Sequence, residues 1–146
     1  MKIVADATVL IRAHNRSKAL ARRLLHEILE RGHRLVLSNE MITETIRVLR
    51  YPQFQNLYGL TEADLLEYAQ FLQSVADIVI LEPQYRAPFL RDPNDTDVLQ
   101  TAERGEADIL CTNDRDFYAG PVLSFCVTRG IEVCTERALI ARLVGK

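Results

Sequence analysis

Four short stretches of the chain carry carboxylates in positions that suggest chemistry. In "KIVADATVLI", Asp6 lies between two apolar runs, residues 3–5 and 9–11. A charge embedded in such a run is costly unless something compensates it. "SNEMITETIRVL" holds Glu40 and Glu44, "RDPNDTDVL" holds Asp92, Asp95 and Asp97, and "CTNDRDF" holds Asp114 and Asp116. Acids that converge repel one another unless a cation sits between them. Oxygen donors without His or Cys partners suit Mg²⁺ or Mn²⁺.

Each acid also has a simpler explanation. Asp95, Asp97 or Asp116 can cap a helix N-terminus, worth about 1 kcal/mol. Glu44 can pair with Arg47 at i,i+3, worth ~0.2–0.5 kcal/mol on a surface. Asp6 is harder to dismiss, because apolar residues flank it on both sides. The joint pattern favours a site if all these acids fall at one end of one sheet.

The elements that would place them there follow from periodicity and punctuation. Strands are expected over residues 2–5, 34–37, 78–81, 109–112 and 131–134. Helices are expected over 19–29, 39–50, 61–75, 122–128 and 136–143, with another opening at Asp95 or Thr96 and closed by Gly105. Thr61 with Asp64 reads as a capping box. Residues 83–93 read as a loop. This alternation predicts a three-layer α/β/α fold with a central, mostly parallel sheet of about five strands. Asp6 would follow strand one, and Asp114 and Asp116 strand four. Sites in such sheets form at the carboxyl ends of the strands.

The 146 residues suit one domain spanning 1–146, large enough to bury a core without disulfides. The 48% apolar and 26% charged content excludes a disordered chain. Three cysteines without C-x-x-C spacing read as free thiols in a reducing, cytoplasmic compartment. No apolar stretch suggests a signal peptide or membrane span. The net charge of −2 argues against a dedicated nucleic-acid binder, but its distribution is uneven. Residues 1–60 carry ten Lys/Arg against five Asp/Glu, and residues 61–146 carry eight against fifteen. A basic surface beside an acidic centre fits a polyanion. Chance scatter over a folded surface explains it as well.

The ordered motifs "IVADATVL", "LSNEMITETIRVLRYP", "DPNDTDVLQTA" and "ADILCTNDRDF" resemble a PIN domain, the nuclease fold of VapC-type toxins in toxin–antitoxin systems. The resemblance spans roughly residues 2–135. It places the family's acidic quartet on Asp6, Glu44, Asp95 and Asp114, with Asp116 as a fifth acid and Thr112 shaping the site. Asp6, Asp95, Asp114 and Asp116 would be the metal ligands. Thr8 stands where the family usually has Asn or Ser, and Asn113 where it has Gly. Glu40 competes with Glu44, and Asp97 with Asp95, which leaves Asp97 in a supporting role beside Thr8 and Thr112.

The resemblance implies metal-dependent cleavage of single-stranded RNA, with Mg²⁺ or Mn²⁺ lowering the pKa of a water for in-line attack. It also implies a small antitoxin partner and a homodimer. Arg12 and Arg16, soon after strand one, are candidate RNA phosphate contacts. Three alternatives remain. A non-catalytic PIN-like module would bind RNA or protein without cutting. "DATVL" also resembles the nucleophile loop of haloacid dehalogenase-like phosphatases, but Thr8 replaces their second Asp and no lysine occurs between Lys18 and Lys146. A receiver domain would need an acidic pair at strand one and a lysine near strand five, and both are missing.

Overall fold

In the computed structural model, the described residues are 1–85, 89–90 and 92–145. Five strands form one parallel sheet: β1 (Lys2–Ala5), β2 (Arg34–Ser38), β3 (Ala76–Val79), β4 (Ile109–Cys111) and β5 (Glu132–Cys134). Their order is β3-β2-β1-β4-β5. β1 is central, and its Ile3 and Val4 are fully buried. Parallel strands of this kind need both faces covered. Among the described residues, eight helices surround the sheet, most of them packed on its faces: α1 (Ala7–Arg12), α2 (Leu20–Glu30), α3 (Asn39–Leu49), α4 (Pro52–Tyr58), α5 (Glu62–Val75), α6 (Pro93–Arg104), α7 (Gly120–Val127) and α8 (Glu136–Val144). α2 packs on α8, while α3 packs on α1, α5 and α6. The three-layer α/β/α architecture expected from sequence is the one observed.

The chain leaves β1 toward β2 and β3, then crosses back through α6 to β4 on the other side. The carboxyl ends of β1 and β4 therefore flank the topological switch point, where the sheet leaves a crevice. Asp6 and Asp114 lie there, just beyond their strands. Asp6 N–H still donates to the Cys111 carbonyl at 3.1 Å, extending the β1–β4 ladder by one residue.

Several boundaries differ from expectation. The third strand is residues 76–79 rather than 78–81, following α5 without a loop. Its register pairs Ala76 with Leu35 and Val79 with Ser38, and an Arg34–Asp77 ion pair anchors it. Ile80, expected inside that strand, is 72% exposed. α6 opens at Pro93 with Asp92 as its cap, not at Asp95 or Thr96. Proline suits the first helical position because its missing N–H would be unsatisfied there anyway. Pro52 likewise starts α4, where the sequence suggested only a break. Of the expected loop 83–93, residues 86–88 and 91 lie outside the described residues. The capping box at Thr61 and Asp64 is present, with both reciprocal bonds.

Gly105 closes α6 as expected, but packing rather than backbone freedom explains the residue. A Cβ there would lie 2.6 Å from Val36 Cγ1 and 2.9 Å from the Thr101 carbonyl. Gly105→Ala is expected to lower stability by about 1–3 kcal/mol through overpacking of α6 on β2. Urea denaturation checks this, and an unchanged midpoint would contradict the close packing.

Candidate functional site

Asp6 is 3% exposed, yet its carboxylate is well provided with donors. Thr8 Oγ1 donates to Oδ1 at 2.6 Å, and Thr112 Oγ1 donates to Oδ2 at 2.5 Å. Val9 N–H donates to Oδ1 at 3.2 Å, making Asp6 the N-cap of α1. Burial pushes its pKa up, and the Thr112, Thr8 and Val9 bonds pull it back toward the charged form. The run after Asp6 is therefore a short helix whose start fixes the carboxylate.

Thr112 passes the constraint on. Its Oγ1 accepts from Asp114 N–H at 3.0 Å, and Asp114 Oδ1 accepts from Asp116 N–H at 3.0 Å. Asp114 thereby caps a 3-10 turn, Arg115–Tyr118. The cap falls on Asp114 and not on Asp116, where the sequence allowed it. Across the crevice, Asp92 caps α6 by accepting from Asn94 N–H at 2.9 Å. This releases Asp95, in the first turn, from a capping role.

One carboxylate oxygen from each of Asp95, Asp114 and Asp116 lies within 4.8 Å of the others. A cavity of about 210 Å³ opens beside them, lined by Asp6, Thr8, Glu44, Asp95, Asp97 and Asp114 among others. Asp6 lines the cavity without joining the close triad, and the exposed Asp116 joins the triad from outside the cavity wall. Burial and the neighbouring Asp114, Asp92, Asp6 and Asp116 push the Asp95 pKa up to about 7. A helix N-terminus should favour the charged form there, so burial and the like charges together override it. Burial with Glu40 and Asp92 likewise raises Asp97.

Glu44 lies on α3, held by Arg47 through Nε at 2.8 Å and Nη2 at 2.9 Å, and by Asn94 Nδ2 at 3.0 Å. The i,i+3 pair weighed from sequence thus exists, on a residue that also faces the cavity. Glu40 lines the cavity too. Arg12 and Arg16, the expected phosphate contacts, do not line it. Arg12 is ion-paired to the buried Glu136 of α8, and Arg16 to Asp64 at 3.2 Å. Sequence reasoning missed Asn94, Asp92 and Glu136 as structural partners. "DPND" signals the first two, since Asp before Pro is a ready helix start.

The donor set fits a hard divalent cation: converging carboxylate oxygens, no His or Cys on the described cavity wall, and a repulsion that a cation would relieve. A family model described as PIN domain matches residues 2–116. No curated protein matches the chain significantly.

The raised Asp95 value gives a signed pH dependence for the metal-free protein. The folded state keeps the proton up to about pH 7, whereas the ordinary value is 3.8. The folded state thus binds more protons in that window, and stability falls as pH rises through it. The loss is on the order of 1–2 kcal/mol after discounting solvent screening. Thermal melts in EDTA are expected to drop by a few degrees from pH 5 to 8. Asp95→Asn is expected to flatten part of that drop, with Asp6 and Asp97, also raised by burial, supplying the rest, and an equally steep profile in the variant would contradict the assignment.

Proposed function

The chain belongs to the PIN domain family, and we propose that it is a metal-dependent endoribonuclease cleaving single-stranded RNA. PIN domains are generally metal-dependent nucleases. The carrying observation is the convergence of Asp95, Asp114 and Asp116 at the switch point, beside a cavity that Asp6 and Glu44 also line.

Asp95, Asp114 and Asp116, with Asp6 on the wall of the same cavity, would hold the metal, Mg²⁺ or Mn²⁺. When bound, such an ion supplies Lewis-acid stabilisation of phosphoryl oxygens and a lowered pKa for water. Asp6, oriented by Thr8 and Thr112, adds negative potential from the cavity floor and fixes Asp114 through Thr112. Glu44 would accept a hydrogen bond from the attacking water and orient it. Asp97 adds to the field from α6. The product would carry a 5′ phosphate.

The toxin role, with a small antitoxin as partner and a homodimer as the working form, belongs to the same proposal. The sequence resemblance to VapC-type toxins supports it. α5 buries Leu65, Tyr68 and Leu72 in the core and leaves Leu66 exposed, so its broad apolar stripe mainly serves the fold. Among the described residues no helix is long and apolar enough to cross a membrane. The phosphatase alternative finds no support in the site, because Thr8 donates to Asp6 in the position of the required second acid.

Asp6→Ala and Asp114→Asn are each expected to slow cleavage of a labelled single-stranded RNA by at least about 100-fold. Wild-type rates in either variant would overturn the assignment. RNA bound but left intact by the wild type in Mn²⁺ would favour the non-catalytic module.

A further inference from the structure

RNA brings phosphates to a cavity whose described wall is acidic and holds no lysine or arginine. A groove continues from that cavity along α3, sharing Glu40, Glu44, Asn94 and Asp97 with it. Among the described residues lining the two, Arg47 is the one cation. Its guanidinium meets Glu44, donates through Nη1 to Tyr51 Oη, and lies 5.4 Å from the centroid of the Tyr51 ring. The Arg47 side chain is about half exposed, and Tyr51 is 38% exposed. Tyr51 is held between the last turn of α3 and Pro52, so its ring is presented at low entropic cost.

We infer that Arg47 and Tyr51 form a nucleotide subsite beside the acid cavity, Arg47 clamping a backbone phosphate and Tyr51 stacking an adjacent base. This rests on the ribonuclease reading proposed above and extends it along the substrate strand. Glu44 parks the guanidinium in the free protein. A phosphate offers the same fork a bidentate partner of equal geometry. As Arg47 turns to the phosphate, Glu44 is released toward the cavity and its water. Stacking on an exposed ring is tolerant of base identity, which suits a strand-tracking contact.

Steady-state cleavage of a labelled single-stranded RNA by the full chain in Mg²⁺ tests this. Arg47→Ala is expected to raise KM about tenfold, the effect of losing one charge-assisted bond. It should also reduce the slope of log affinity against log salt by about 0.7, as for one phosphate contact on a single strand. Tyr51→Ala is expected to raise KM about fivefold or more, whereas Tyr51→Phe keeps the ring and should restore most of that loss. Mn²⁺ affinity of Tyr51→Ala, read by calorimetry, should match wild type. A lowered melting temperature with wild-type KM and salt slope in Arg47→Ala would make its contact with Glu44 a helix-surface pair and overturn the clamp. Wild-type KM in Tyr51→Ala would overturn the stacking. Wild-type protein that neither binds nor cuts RNA would overturn both this inference and the ribonuclease reading. Cleavage with KM unmoved in both alanine variants would overturn this inference alone.

Discussion

A carboxylate that is nearly fully buried at the end of the central strand constrains everything around it. Asp6 is stable there because two hydroxyls and one amide donate to it. One of those hydroxyls belongs to Thr112, which also receives the Asp114 amide. The Asp114 carboxylate in turn receives the Asp116 amide. A single hydrogen-bonded chain therefore runs from the floor of the crevice to its outer acid. Removing Thr112 would both strip a donor from a buried charge and loosen the turn that aims Asp114. Sheet order supplies the rest, because β1 and β4 separate the outgoing and returning crossovers at this point.

The acids are held together against their own repulsion. Helix caps and hydroxyl bonds fix Asp6, Asp92 and Asp114, and burial together with the neighbouring acids pushes the Asp95 pKa up to about 7. This is the pattern expected where a cation completes the electrostatics. On the α3 side, Arg47 balances Glu44 at the groove. The other early arginines are used differently. Arg12 and Arg16 join α1 and the following turn to α8 and α5 by ion pairs, and neither reaches the acid cavity.

Much of this was legible in the sequence, for local reasons. β1, β2, α3 and α5 declare themselves by apolar periodicity and by caps close to their ends. The acids stood out because their type is wrong for the surroundings of Asp6 and repeated at later strand ends. What was not legible depends on long-range placement. The Arg12–Glu136 pair joins residues 124 apart in sequence. How near Asp116 comes to Asp95 and Asp114 is set by the 3-10 turn and not by spacing. The shift of β3 by two residues reflects pairing with β2, which strand periodicity alone does not register. The start of α6 at Pro93 decided which acid caps the helix and which lies in its first turn without capping it.

The proposed cation site at the switch point lies between Asp95, Asp114 and Asp116. Anomalous diffraction from crystals soaked in Mn²⁺ tests it most directly. A manganese peak bounded by these three carboxylates is expected, absent in Asp114→Asn crystals treated identically. Well-ordered crystals with no peak there, or with manganese bound elsewhere and the three acids unliganded, would contradict it.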